Sequence, residues 1–99
     1  MPTPDEIVRQ YLRAQNLEQV GRTDEAVAIY ESAVEARFDA AGPYDRLIAI
    51  YAGREQHADV SRVAAAALEN VRTFDDKKAW YEARRDAAAS AGDKRGAEF

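Results

Sequence analysis

The chain contains no cysteine and a single histidine, His57. Disulfides and thiol chemistry are therefore excluded, and one imidazole cannot build the His/Cys cluster of a zinc site. Proline occurs three times and glycine five times in 99 residues, so the places where regular structure must break are few. No stretch approaches the roughly 18 consecutive apolar residues of a membrane span. The opening MPTPDEIVRQ has neither the positive start nor the apolar run of a secretory signal. The expectation is a soluble cytoplasmic protein with no membrane partner. A basic face is missing too, since the formal charge is −4 and the two signs are mixed along the chain. Phosphate neutralisation dominates nucleic-acid affinity, so no nucleic-acid partner is expected.

What the chain does have is alanine in quantity, within a composition that is 46% apolar. Alanine favours helix while offering little area to bury, which points to a single helical domain with few large core side chains. Thr3-Pro4-Asp5-Glu6 supplies an N-cap, a proline in the first turn and a carboxylate three residues past the cap, so a first helix is expected from Pro4 to about Val20. Gly21 then lets the chain turn. Thr23 reads as the cap of a second helix ending near Arg37, with Asp24 and Glu25 at the positive end of its dipole. Pro43 opens a third helix to about Arg54, and Val60, Val63, Ala64, Ala67, Leu68 and Val71 mark a fourth from about Ala58 to Arg72. Thr73 caps a fifth, with Asp75 and Asp76 in its first turn and Trp80 as its anchor. Residues after Gly92 are expected to form a flexible tail. No alternating β-branched run is long enough to require a strand.

The stretch Gly21 to Phe38 places Ala26, Tyr30 and Ala33 on one helical face. Sliding the chain along itself until Leu17 falls on Tyr51 also brings Ile29 onto Val63, Ala33 onto Ala67 and Val34 onto Leu68, and sets Glu55 where the first unit has Gly21. Tyr44, Leu47 and Tyr51 give the second unit an aromatic-x2-Leu-x3-aromatic run, and Ala79-Trp80-Tyr81 looks like a third such opening. This pattern resembles the tetratricopeptide repeat, a helical hairpin of about 34 residues. The resemblance implies an all-α fold, a right-handed superhelix of two hairpins (4–37 and 43–72) and a capping helix (75–91), within one domain over 1–92. It covers about Gln10 to Gly92, with Gln10 and Arg13 replacing large apolar residues of the family pattern.

By the same resemblance, ligands lie on a concave surface made by the first helices of successive units. Tyr11, Gln15 and Glu18 of the first unit, Asp45, Arg46 and Ala49 of the second, and Lys78, Tyr81 and Arg85 of the last helix are the candidate partner-binding residues. A carboxylate-gripping variant of the family is matched only by Lys78, and Glu82 stands where that variant has arginine, so it would repel such a ligand. No catalytic, cofactor or metal residue is assigned. His57 has no nucleophile beside it in sequence, no Gly-x-Ser-x-Gly turn surrounds any serine, and Asp24-Glu25 and Asp75-Asp76 read as helix-end charge. The expected function is a non-enzymatic scaffold for a protein or peptide partner. Two and a half repeats fall short of the usual three, which makes a homodimer or assembly subunit the alternative. A small DNA-binding domain reading through the fourth helix is the remaining one, and Arg62 and Arg72 are its only cations.

Overall fold

A computed structural model describes residues 3–72 and 77–97, with side chains described as far as Ala91. Five helices follow one another: α1 (Pro4–Gln19), α2 (Thr23–Glu35), α3 (Gly42–Gly53), α4 (His57–Asn70) and α5 (Lys77–Ala97). No strand occurs among the described residues, so the fold is all-α. None of the helices among them is long and apolar enough to cross a membrane.

The helix ends explain the turns. The Thr3 hydroxyl accepts the Glu6 N–H at 3.2 Å and starts α1 as its sequence implies. At its other end Gly21 sits at φ +82°, its N–H bonds Glu18 O at 3.1 Å, and Arg22 N–H bonds Leu17 O at 2.8 Å. This left-handed stop satisfies two of the last carbonyls. The same paired bonds end α2 through Arg37 (φ 58°) and α3 through Glu55 (φ 57°), neither of which is glycine. In the two tight hairpin turns, the residue that completes the stop also begins the next helix: Arg22 for α2 and Gln56 for α4.

That economy shifts two expected starts. Thr23 is the first residue of α2 and not its cap, because Arg22 takes the cap position without a side-chain bond to the backbone. His57 likewise belongs to α4, one residue ahead of the expected Ala58. The Thr73 cap and its acidic first turn lie outside the described residues. Helix α5 continues through Gly92 to Ala97, past the expected end at Ala91. Each of the two glycines in this stretch, Gly92 and Gly96, costs a helix only about 1 kcal/mol relative to alanine, which does not by itself end it.

Consecutive helices pack in chain order, with α4 against α5 the most extensive contact. Ala14, Ala26, Ala64 and Ala67 have no exposed surface and let the helices approach, while Tyr30, Tyr44, Leu47, Ile48 and Val63 fill the volume between them. Tyr81, not Trp80, anchors α5: its ring is wholly buried, and Trp80 is only partly covered. Lys77 and Arg84 flank the indole at 4.8 and 5.1 Å from its centre, a cation–π arrangement that suits a half-exposed tryptophan. The molecule measures 45 × 30 × 23 Å, so the helices form an elongated stack with a long side.

Candidate functional site

The buried tyrosines decide how the candidate surface is built. A tyrosine ring contributes area to the core but its hydroxyl needs a partner, and in a helical stack the partner must come from another helix. Tyr30 of α2 donates to Glu18 of α1, which also accepts Arg46 of α3 through Nε at 3.1 Å and Nη2 at 2.6 Å. Tyr81 of α5 donates to Asp45 of α3 at 2.7 Å, and Lys77 reaches the other oxygen of Asp45 at 3.0 Å. Tyr51 of α3 donates to Glu31 of α2 at 2.6 Å, and Arg62 of α4 binds the same carboxylate at 2.6 Å. Each unit is one tyrosine, one carboxylate and one cation. Together they lock α1 to α3, α3 to α5, and α2 to α4.

Titration follows from this geometry. The Arg46 guanidinium, aided by the Tyr30 hydroxyl, outweighs partial burial and holds the Glu18 carboxyl below its usual range. Burial, then the adjoining carboxylate, raises the tyrosines: Tyr51 to about 12, and Tyr30 and Tyr81 further in the same direction. All three stay neutral donors at neutral pH. No buried side-chain polar atom among the described residues lacks a partner.

The candidate residues therefore divide. Glu18 and Arg46 are brought together, as are Asp45 and Tyr81, and Gln15 donates to the Tyr11 hydroxyl at 2.9 Å. Tyr81, expected on the surface, lies in the core and offers a partner nothing. Lys78 and Ala49 are exposed, and Arg85 is half-buried beside Asp86 at 3.0 Å. Sequence reasoning missed Tyr30, Tyr51, Glu31, Arg62 and Lys77. A tyrosine on an apolar stripe signals that an acceptor is required, but only the fold says which carboxylate supplies it.

A cleft of about 520 Å³ opens between α1, α2 and the start of α3. Its walls include Ile7, Tyr11, Ile29, Tyr30, Ala33 and Pro43, with Glu6, Arg9, Gln10 and Ser32 completing the lining. That size suits a bulky side chain or a small ligand. Tyr11 is shared between the cleft and the candidate surface, and its ring lies against Gly42 so closely that a Cβ there would sit 2.7 Å from Cζ. Among the described residues, no group of three or more His, Cys, Asp or Glu side chains converges as a metal site. No protein-family model, curated protein or solved structure matches the chain.

Proposed function

We propose that the chain is a protein-interaction scaffold of tetratricopeptide-like architecture, with hairpins α1/α2 and α3/α4 closed by α5 in a right-handed superhelix. The observation that carries this reading is a repeat at the interval that separates Gly21 from Glu55: the left-handed stop, which also ends α2 at Arg37, is followed in these two turns at once by the next helix, with Arg22 and Gln56 as its caps. Both residues take left-handed φ, and the bonds Gly21 to Glu18 and Arg22 to Leu17 recur as Glu55 to Ala52 and Gln56 to Tyr51. A backbone that repeats in this way despite a glycine-to-glutamate change supports stacked equivalent hairpins. The bridges Glu18–Arg46 and Asp45–Tyr81 then hold α1, α3 and α5 side by side as one face.

On that face, a protein or peptide partner meets Gln15, Ala49, Lys78 and Arg85, together with the outer parts of Tyr11 and Arg46. The cleft beside Tyr11 accepts an apolar side chain at one end. No enzymatic step and no cofactor belong to this proposal, and its setting is the cytoplasm. The DNA-binding alternative gains nothing from α4, because Arg62 is held by Glu31 and Asp59. Such a domain needs cations available for phosphate.

The test is selection of binders from a random peptide library on the full chain, followed by affinity measurements on variants. Ala49→Arg fills the middle of the face with a good helix former, and Glu69→Lys on the exposed side of α4 is the control. Selected peptides are expected to lose at least about tenfold in affinity, or ~1.4 kcal/mol, with Ala49→Arg and to be unaffected by Glu69→Lys. Failure to enrich any peptide, or binding indifferent to Ala49→Arg, overturns the reading.

A further inference from the structure

The cleft between α1 and α2 opens in the halves of the two helices that lie away from their turn, and it has two kinds of surface. Its inner wall is apolar and aromatic: Tyr30 and Pro43 are fully buried, Ile29 is partly covered, and the rings of Tyr11 and Tyr30 lie 5.8 Å apart at 53°. Both tyrosine hydroxyls are engaged, with Glu18 and Gln15, so the pair offers the cleft its rings. The rim on α1 is polar, because Arg9 and Gln10 each lie one helical turn from Glu6. None of these three side chains enters a hydrogen bond or ion pair among the described residues. Beside the buried tyrosines, by contrast, Arg46, Arg62 and Lys77 are each spent on a carboxylate of another helix. Glu6 and Arg9 have the spacing at which Asp59 and Arg62 pair, yet they stand apart.

We propose that this cleft binds a free aromatic α-amino acid. The ring enters the apolar wall and joins the tyrosine pair edge to face. The ammonium group meets the Glu6 carboxylate, and the carboxylate meets the Arg9 guanidinium and the Gln10 amide. Charge selects this class of ligand. A lone anion on the rim meets the carboxylate of Glu6, a lone cation meets Arg9, and an uncharged apolar molecule leaves both unused. Only a ligand that carries both signs beside an apolar body answers the whole lining. The volume of about 520 Å³ is ample for one such molecule and its water. The ligand is small and the charges that hold it are exposed, so the dissociation constant is on the order of 0.1–1 mM. Tyr11 also borders the proposed peptide face, so the bound amino acid and the apolar side chain of a peptide exclude one another from this space. The site itself does not depend on that face.

The test is a titration of the full chain, labelled with nitrogen-15 and followed by its amide resonances, with L-tryptophan and L-phenylalanine up to about 10 mM. Saturable shifts are expected at the amides of Glu6 to Tyr11 and Ile29 to Ala33. N-acetyl-L-tryptophan lacks the ammonium group and L-tryptophanamide lacks the carboxylate, and each should bind about three- to fivefold more weakly than L-tryptophan. Glu6→Gln should erase the preference over the acetylated form, and Arg9→Gln the preference over the amide. Both residues are exposed, so circular dichroism should show the fold unchanged. No saturable binding of either amino acid overturns the proposal, as do shifts confined to residues outside the cleft. Equal binding of the three tryptophan compounds, or preferences that survive both substitutions, overturns the roles of Glu6 and Arg9. The peptide face is judged separately: no peptide enters this titration, and Ala49→Arg should leave it unchanged.

Discussion

Replacing Glu18 by alanine tests whether the tyrosine–carboxylate–cation units hold the fold. The substitution removes the acceptor of Tyr30, a residue with no exposed surface, and strands its hydroxyl. An orphaned buried hydroxyl costs about 1–3 kcal/mol. The Arg46 side chain is half exposed and rehydrates once released, so its share is at most about 1 kcal/mol. Alanine returns a few tenths of a kcal/mol in helix propensity. The sum is a loss of about 2 kcal/mol, or a melting temperature lower by roughly 8–16 °C for a domain of this size.

Thermal and urea melts followed at 222 nm measure this, and the double-mutant cycle with Tyr30→Phe identifies the cause. In the phenylalanine background Glu18→Ala strands nothing and should cost no more than about 1 kcal/mol, giving a coupling of about 1–2 kcal/mol. Acid provides a second handle. Because the folded Glu18 carboxyl is depressed, its contribution is present above the unfolded pKa near 4.3 and is lost as pH falls through the folded value. The gap between wild type and Glu18→Gln should therefore narrow below about pH 4. Additive mutations, or a Glu18→Ala melt within about 2 °C of wild type, would refute the assignment.

Arg37→Gly should raise the melting temperature by several degrees, corresponding to about 0.5–1 kcal/mol, because φ 58° suits glycine better than a residue with a Cβ. Gly42→Ala should lower stability by about 1 kcal/mol in the same melts, since the new Cβ forces the Tyr11 ring away from its place beside Tyr30 and Gln15. Raised tyrosines make the fold sensitive to alkali: the contribution of Tyr51 is complete below pH 10 and is lost as pH rises towards about 12. Absorbance at 295 nm and circular dichroism should therefore change together above pH 10, and tyrosine ionisation well ahead of unfolding would contradict this.

Much of the helical framework was legible because its signals are local. Thr3, Gly21 and Pro43 act within a turn of themselves, and the stripe of Ala26, Tyr30 and Ala33 is buried as its spacing implies. Arg37 and Glu55 were not legible as left-handed stops, since the preference for glycine there is statistical and the two bonds closing each turn outweigh it. Trp80 misled because size suggests burial, yet its flanking cations suit a half-exposed position better. At the candidate surface, Glu18, Asp45 and Arg46 were visible as polar residues on one face. That they meet tyrosines and cations from other helices depends on packing, which periodicity does not encode.

The orientation of these pairs decides which groups the face of α1, α3 and α5 would offer to a partner of the proposed kind. A buried tyrosine hydroxyl donates, so the group drawn inward to meet it must be an acceptor, and the carboxylate goes in while the longer cation stays out. Glu18 is 15% exposed against 44% for Arg46, and Asp45 is 27% exposed against 46% for Lys77. The face of α1, α3 and α5 thus presents donors ahead of acceptors although the chain as a whole carries −4. Net charge argues against an extended phosphate backbone but does not describe this local surface. A segment rich in carbonyl and carboxylate acceptors fits it better than a basic one, and that bias should appear in the composition of any peptides it selects.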